Sequence, residues 1–417
     1  MQETIRIEKL VPGGQGLATL SNGQKIFVWN ALPGEEAKVQ VWRRKKQFAE
    51  GLATEILKSS EHRVEPKEPE SYLATSPWQI MDSDYENEQK KLLIEEIFSR
   101  EKIKLPVFEF TADSKPFHYR NKMEYSFWAD DTGLHLALYN RGSHQKAIVT
   151  GSQLAMSALD VAAHAILQTL RAAKIQGRQL KTLVVRCSQD STCVASLFVK
   201  DENFPDVTLP EEIKGLRVYY SDPKSPASVM TRLVYEKGDV KLKDTVLGTS
   251  LVYDVDSFFQ VNVPIFERAV QTMRETSAVS DFFVDMYGGV GSIGLTLSGE
   301  KPLTIVELDE HSAAMASLNG GEDTTVVRTS TEQALDYIVN DKVMIFDPPR
   351  AGLHPKVIQK ILEVLPIKIY YLSCNPVTQA RDLASLLESY EITKAEGYNF
   401  FPRTPHLEFL TILKRKV

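Results

Sequence analysis

Cysteine is scarce in this chain, with three residues in 417. An odd and sparse set of cysteines argues against a disulfide framework and indicates a reducing compartment. The set is also too small for a four-cysteine metal or iron–sulfur site within one chain, so no metal site is expected. We interpret Cys187 and Cys193 as structural residues on strands, which leaves Cys374 as the candidate reactive thiol.

Long apolar runs are also lacking. No run approaches the roughly 18 residues that a membrane-spanning helix needs. The N-terminal segment MQETIRIEKL has no apolar core of a secretory signal. We therefore expect a cytoplasmic protein with no membrane partner. An excess of basic residues is missing too, since the net charge is −6. Any contact with nucleic acid must then come from local clusters of Lys and Arg.

The first 58 residues predict a small β-barrel. Turn signals at Asn22-Gly23 and Pro33-Gly34 separate short runs of alternating apolar residues. Five such runs in under 60 residues are typical of an OB-like barrel. They span residues 4–10, 16–20, 25–28, 36–42 and 48–56.

A basic cluster extends the fourth of these strands. It consists of Arg43, Arg44, Lys45 and Lys46, and it lies between Trp42 and Phe48. Basic side chains interleaved with aromatic ones favour RNA binding, so these four are candidate substrate-binding residues. A solvated hairpin tip is the alternative interpretation.

Residues 59–71 are polar and contain proline, which predicts a linker. Residues 72–250 mix strands with a helix over 157–173 and predict an α+β middle domain that binds RNA. Residues 84–99 predict a further helix that could pack on the catalytic domain. Its apolar face is expected to consist of Leu92, Leu93, Ile94, Ile97 and Phe98.

Residues 251–417 alternate strands with helices, which predicts an α/β domain with a doubly wound, Rossmann-like parallel sheet. An apolar strand runs into a glycine-rich turn at Tyr287-Gly288, and the next strand ends at Glu307. Glycines let a ligand approach a helix N-terminus, and the acid could accept hydrogen bonds from ribose hydroxyls. This turn alone leaves a nicotinamide cofactor open, because Gly289, Gly291 and Gly294 satisfy G-x-G-x-x-G.

Three further polar groups follow predicted strands of this sheet. Asp347-Pro-Pro-Arg350 ends one strand, and Cys374 ends the next, before a helix whose N-terminus is expected to lower the pKa of the thiol. Glu408 opens the last strand and is a candidate general base, with His406 as the competing base. Arg350 could pair with a carboxylate or a phosphate.

Together these motifs resemble the RNA 5-methyluridine (uracil-C5) methyltransferases, which act on tRNA or 23S ribosomal RNA. The resemblance is close over about residues 250–417, and the N-terminal barrel resembles the TRAM domain of many members. The stretch Phe258-Phe259-Gln260-Val261-Asn262 also resembles a family motif. The motifs occur in the family order: Asp-x-Tyr-Gly-Gly-x-Gly, Val-Glu-Leu-Asp, Phe-Asp-Pro-Pro-Arg-Ala-Gly, Tyr-Leu-Ser-Cys-Asn-Pro and Thr-Pro-His-Leu-Glu.

The resemblance implies a class I methyltransferase fold and the cofactor S-adenosyl-L-methionine. It implies that Cys374 is the nucleophile and Glu408 the proton acceptor, and that RNA, with 23S ribosomal RNA favoured over tRNA, is the partner of a monomeric protein. The cofactor would contact Gln260, Tyr287, Gly288, Glu307 and Asp347. Many relatives carry a four-cysteine iron–sulfur cluster, but residues 72–79 hold no cysteine, so no cluster is expected, and packing through Trp78 would replace it.

Three other functions remain open on the sequence. Asp-Pro-Pro resembles the motif of methyltransferases that act on exocyclic nitrogens, although Arg350 occupies the fourth position. A non-catalytic RNA-binding protein with a methyltransferase fold would not need Cys374 and Glu408. A small-molecule methyltransferase would have no use for the N-terminal barrel.

Overall fold

Three large sheets and one hairpin carry the strands of this protein. The computed structural model describes residues 2–113, 115–141, 145–278 and 282–416. None of the helices in these ranges has both the length and the apolar character that a membrane crossing requires.

The N-terminal sheet has the strand order β1-β5-β6-β4-β3-β2, in which only β4 and β6 pair in parallel. Buried and exposed residues alternate along β4 and β5, so one face of each strand packs into a core of its own. The predicted OB-like barrel is confirmed, although the first expected strand is interrupted at Ile7 and six strands form. They are β1 Gln2–Arg6, β2 Lys9–Leu10, β3 Gly16–Thr19, β4 Lys25–Trp29, β5 Glu36–Arg44 and β6 Phe48–Lys58.

Two helices and a short strand follow the barrel: α1 Tyr72–Thr75, α2 Ser83–Arg100 and β7 Phe110–Thr111. Asp82 caps α2, because its carboxylate accepts the backbone N–H of Tyr85. The expected apolar face of α2 is wrong at one position, since Leu92 is 47% exposed. Trp78 is buried before α2 and donates its indole N–H to the carbonyl of Gly14 in the barrel.

The middle sheet has the order β10-β9-β8-β11-β12-β13-β14, and helix α3 packs on one of its faces. Only β12 and β13 run parallel. The elements are β8 Lys122–Asp130, β9 Gly133–Tyr139, β10 Lys146–Ile148, α3 Ser157–Ala172, a 3-10 turn at Gly177–Gln179, β11 Leu180–Cys187, β12 Cys193–Val199, β13 Gly215–Tyr220 and β14 Arg232–Gly238.

The β11–β12 hairpin contains a disulfide that the sequence did not predict. Its antiparallel register sets Cys187 directly opposite Cys193, with the two Cα atoms 4.1 Å apart, and the sulfurs are bonded. The expectation of no disulfide was wrong because it rested on the cysteine count, whereas the pairing depends on the register of a hairpin in which the two cysteines are six residues apart. Cys374 is the one free cysteine among the described residues.

The C-terminal sheet has the order β19-β18-β17-β20-β21-β23-β22-β7. Strands β17 to β21 are parallel, whereas β23 runs antiparallel to β21. The elements are the hairpin β15 Lys241–Val246 and β16 Thr249–Asp254, then α4 Val263–Glu275, β17 Phe283–Met286, α5 Gly294–Ser298, β18 Leu303–Glu307, α6 Glu310–Asn319, β19 Thr324–Arg328, 3-10 turns at Thr331–Gln333 and Leu335–Tyr337, β20 Val343–Phe346, α7 Pro355–Val364, β21 Lys368–Ser373, α8 Pro376–Leu386, β22 Tyr390–Tyr398 and β23 Glu408–Arg415.

The strand order of this sheet reverses between β17 and β20. The chain continues from β17 to β18 on one side of this point and from β20 to β21 on the other. In open α/β sheets, ligands bind beyond the carboxyl ends of the strands at such a point. The expected doubly wound sheet is therefore confirmed, and its topology locates the site.

The hydrophobic cores do not follow the boundaries expected for the middle domain, residues 72–250. Helix α2 shares one core with the C-terminal sheet, and β7 extends that sheet beside β22. The β15–β16 hairpin also packs into the core beneath β17 and β18. The middle sheet itself covers residues 122–238.

Candidate active site

The site lies where four strands of the C-terminal sheet end or begin. Tyr287 follows β17, Asp347 follows β20 and Cys374 follows β21. Antiparallel β23 starts at the same edge, and its register pairs Ser373 with Phe409. One further step in that register places Glu408 opposite Cys374.

All residues predicted to act in catalysis or to contact the cofactor line one cavity of about 520 Å³. Arg350 lines it as well. The predicted residues are Gln260, Tyr287, Gly288, Glu307, Asp347, Cys374 and Glu408. A second cavity of about 630 Å³ adjoins it, since Tyr287 and Pro349 line both, and apolar side chains such as Leu308 and Ile358 contribute to its walls.

The turn after β17 leaves space for a ligand. Tyr287 and Gly289 adopt positive φ angles of 66° and 57°. A Cβ at Gly288 would lie 2.6 Å from Ile305, whereas one at Gly289 would meet nothing closer than Phe258 at 3.9 Å. Backbone strain of this kind gathers at ligand sites. The turn therefore packs against the sheet through Gly288 and is open to the cavity at Gly289.

Glu307 holds this turn with its carboxylate. Its oxygens accept the backbone N–H groups of Gly289 at 2.8 Å and of Asp309 at 2.7 Å. Each carboxylate oxygen can accept a second hydrogen bond, so Glu307 can still receive ribose hydroxyls. Gln260 reaches the same cavity from the segment before α4 and donates to Asp347 at 3.3 Å. The residues present thus fit S-adenosylmethionine: an acid beside an open glycine turn, an apolar cavity for adenine and buried carboxylates beside Gln260.

Two buried carboxyl groups, those of Asp347 and Glu408, share the cavity. Burial raises the pKa of Asp347 to about 7, and it also raises the pKa of Glu408 well above its usual range, with the Asp347 charge adding to the effect. One oxygen of Glu408 is buried without a hydrogen-bond partner among the described residues. An unpartnered carboxylate next to a reaction centre is available to accept a proton.

The pKa of Cys374 is raised to about 12, first by burial and then by the charges of Glu408 and Asp347. The expectation of a pKa lowered by the α8 N-terminus was wrong. Asn375 caps α8, because its side-chain oxygen accepts the backbone N–H of Val377 at 3.3 Å. This N–H is therefore directed at Asn375 and not at the thiol. Arg350 opposes the increase, because its positive charge favours the thiolate.

His406 is a poor candidate for the base. Burial and the neighbouring charge of Arg350 lower its pKa to about 3. Its Nδ1 accepts a hydrogen bond from Arg350 at 2.9 Å, so the ring is neutral and its lone pair is occupied. Glu408 is the remaining base of the two that the sequence offered.

Helix α2 anchors the loop that leads to Glu408. The Glu86 carboxylate accepts the backbone N–H of Arg403 and the side-chain amide of Asn399, each at 3.0 Å. Lys90 is fully buried, lies 2.9 Å from Glu86 and donates to Asn399 and to the carbonyl of Phe401. This buried network fixes residues 399–403 immediately before the catalytic segment.

The predicted basic cluster lies away from this cavity. Arg43 pairs with Glu50 at 3.6 Å and Arg44 pairs with Glu3 at 3.3 Å, while Lys45 lies over the ring of Phe48. Arg43 lines a separate groove, and the four side chains are exposed. Their role in RNA binding stays a prediction.

Sequence reasoning assigned no function to Arg120 or Arg141. Arg120 lines the catalytic cavity, and Arg141 lines its outer mouth together with Arg350 and Cys374. The sequence around an isolated arginine in the middle domain does not indicate which group the arginine contacts. The stretch at residues 119–122, which resembles a family pattern, was the one available indication for Arg120.

Comparisons with known proteins agree with this geometry. Residues 327–416 match the family model of tRNA (uracil-5-)-methyltransferases, and residues 2–54 match the TRAM domain. An uncharacterized RNA methyltransferase of Enterococcus faecalis is 28% identical over 99% of this chain and 97% of its own, and one of Thermotoga maritima is 29% identical over 98% of each. The structure of Pyrococcus abyssi tRNA (uracil-54, C5)-methyltransferase in complex with S-adenosyl-L-homocysteine has a TM-score of 0.80 at 24% identity and covers 99% of this chain and all of that one, which shows the shared fold.

We predict that Glu86→Gln lowers the free energy of unfolding by about 3 kcal/mol, because it leaves the buried Lys90 charge without its partner. Urea unfolding followed by circular dichroism measures the loss. Glu95→Gln on the exposed face of α2 is the matched control and should change it by less than about 0.5 kcal/mol. Equal stability of the two variants would show that the network contributes nothing.

We predict that Cys374 in the ligand-free protein reacts with iodoacetamide roughly 10³-fold more slowly at pH 7.5 than a free thiol, since a pKa near 12 leaves little thiolate. The rate should keep rising above pH 9. Mass spectrometry should count one label on the unfolded, unreduced chain and three after reduction. A rate that levels off near pH 7 would contradict the raised pKa, and three labels without reduction would contradict the disulfide.

Proposed function

We propose that this RNA methyltransferase, which joins a TRAM domain to the tRNA (uracil-5-)-methyltransferase segment, methylates carbon 5 of a uridine through covalent attack by Cys374. The observation that carries the proposal is the placement of Cys374 and Glu408 on facing strand ends in one cavity with the cofactor-binding residues. Neither a nitrogen methyltransferase nor a non-catalytic RNA-binding protein needs this pair.

Carbon 5 of uracil is too weak a nucleophile to accept a methyl group unaided. Addition of the Cys374 thiolate to carbon 6 forms an S–C bond and moves an electron pair toward carbon 5 and the carbonyl oxygen at carbon 4. S-adenosylmethionine, when bound, supplies a methyl group on a positively charged sulfur. Arg350 favours the thiolate, since its charge lowers the pKa of Cys374 against the effect of burial.

Glu408 completes the reaction in this scheme. After methylation, carbon 5 carries both a methyl group and its original proton. Glu408 takes that proton, the electron pair reforms the bond between carbons 5 and 6, and the S–C bond breaks to release Cys374 as a thiolate. Its buried, unpartnered oxygen and raised pKa suit a base that must hold a proton in a water-poor site. The target base must leave its stack to reach this depth.

We predict that Cys374→Ala abolishes methylation, whereas Glu408→Gln retains methyl transfer and accumulates a protein–RNA adduct that survives denaturation. The reason is that Gln cannot take the proton whose loss releases the enzyme. Gel electrophoresis with labelled S-adenosylmethionine and unmodified RNA measures the adduct. Glu388→Gln, an exposed change, is the control and should turn over normally.

Two results would contradict this scheme. One is a Cys374→Ala variant that still produces 5-methyluridine. The other is wild-type protein that forms no adduct with RNA containing 5-fluorouridine, in which carbon 5 cannot lose fluorine as it loses a proton.

We propose 23S ribosomal RNA as the target, since the N-terminal barrel resembles that of members that act on ribosomal RNA. A tRNA target is the second candidate, supported by the likeness over the whole chain to a tRNA (uracil-54, C5)-methyltransferase. We predict that 5-methyluridine appears in 23S ribosomal RNA, and not in tRNA, when both RNAs come from cells lacking the enzyme and are incubated with it. Nucleoside mass spectrometry decides, and the reverse result would favour tRNA.

A further inference from the structure

A groove of about 750 Å³ lies between the N-terminal barrel and the middle domain. The barrel contributes Trp29, Trp42 and Leu52 to its walls, and Pro69 and Leu73 close it from the segment before α2. Trp42 is 43% exposed. Aromatic and apolar side chains that line a concave site are typical of ligand pockets.

The chemistry of the groove suits a nucleobase. Indole rings stack on the flat face of any base. Glu50 and Glu70 also line the groove, and carboxylates can accept hydrogen bonds from the amino and imino groups of a base or from ribose hydroxyls. Arg43, which also lines the groove, is already paired with Glu50. The groove therefore offers more to a base than to a phosphate.

Arg141 connects this groove to the active site. Its side chain lines the groove and also the mouth cavity that contains Cys374 and Arg350. The guanidinium lies 5.4 Å from the centre of the Trp29 ring. Its Nε is buried without a hydrogen-bond partner among the residues that the structure describes.

Arg350 faces the same mouth and likewise has no carboxylate partner among the described residues, since it donates to neutral His406. Two guanidinium groups that form no ion pair with a carboxylate of the described residues, placed at one opening, favour binding of an anion. Between a flipped base and its neighbour in an RNA strand, that anion is the phosphodiester. One strand could then place a base at Cys374, its phosphate at the arginines and the next base against the tryptophans.

We propose that the groove lined by Trp29 and Trp42 is a second nucleotide subsite, which holds an unpaired base adjacent in the RNA to the target uridine, with Arg141 contacting the phosphate between them. This subsite rests on the proposed uridine methylation. It selects targets by requiring an unpaired neighbour that can enter the groove.

The test uses a short unstructured RNA with one 5-fluorouridine and, in separate versions, an abasic nucleotide at each flanking position. The rate of adduct formation is measured against RNA concentration for the full-length protein. Trp42→Ala should raise the half-saturating RNA concentration roughly tenfold, as expected for the loss of one stacked base, and leave the maximal rate within about twofold. Trp128→Ala, which removes an exposed tryptophan on β8 outside the groove, should change neither.

The abasic RNAs identify what enters the groove. At one flanking position, the abasic change should raise the half-saturating RNA concentration of wild type by the same factor of roughly ten. The same abasic RNA should bind the Trp42→Ala variant no more weakly than the intact RNA does. Trp42→Phe should restore most of the binding, because phenylalanine still stacks. Arg141→Gln should reduce the slope of log affinity against log salt by about 1, the value for one phosphate contact.

The outcomes separate the two proposals. If wild-type protein forms no adduct with any of these RNAs, the uridine methylation itself is refuted. If Trp42→Ala forms adducts at the wild-type half-saturating concentration, or if the abasic cost persists in full in that variant, the subsite is refuted and the methylation stands. A Trp42→Ala variant that unfolds is recognised by its circular dichroism, and Trp42→Phe with the abasic series then decides.

Discussion

The buried carboxylate of Glu86 is the constraint on which the active site depends. It lies on α2, before the middle sheet in sequence, yet it binds the backbone at Arg403 and the side chain of Asn399. Glu408 follows that loop by five residues, so the proposed base is positioned by a helix more than three hundred residues earlier in the chain. The middle domain is consequently an insertion between two parts of one packed unit. A change that separates α2 from β23 should disturb the proposed general base before it disturbs the cofactor cavity, because Tyr287 and Asp347 follow the parallel strands β17 and β20.

Crowding of acidic groups in one cavity explains how Cys374, the proposed nucleophile, can stay inert until RNA arrives. Asp347, Glu408 and Cys374 cannot all be charged in a water-poor space, and burial raises the pKa of each. The thiol therefore rests protonated and resists chance oxidation or alkylation. Positive charge is what shifts this balance toward the thiolate. Arg350 is one permanent source, and its hydrogen bond to neutral His406 holds it at the mouth of the site.

Features of the fold and the site were predictable from sequence when they depend on a local pattern of residues, and were missed when they depend on contacts formed only in the folded chain. Tyr287, Glu307, Asp347 and Cys374 were predictable because each follows a short apolar strand, and parallel strands bring their carboxyl ends to one edge. What depends on strand register or on partners distant in the sequence was missed. The Cys187–Cys193 bond needs a hairpin register, and the exposure of Leu92 needs knowledge of which face of α2 meets α8. The raised pKa of Cys374 was missed for the same reason, since Glu408 lies thirty-four residues away in sequence and opposite in space.

Counting charges along a sequence does not show which basic side chains are already paired with carboxylates. The conspicuous basic run on the barrel is partly neutralised, as Arg43 and Arg44 face carboxylates across the strands. Arg141 and Arg350 belong to no basic run, but both line the mouth of the site, where Arg350 donates to His406 and the Nε of Arg141 has no hydrogen-bond partner among the residues that the structure describes. Electrostatic attraction to phosphate depends on charge that is not already compensated. An acidic protein with net charge −6 can therefore bind RNA through local cations, and Arg141 and Arg350 are two such cations at the mouth of the proposed active site.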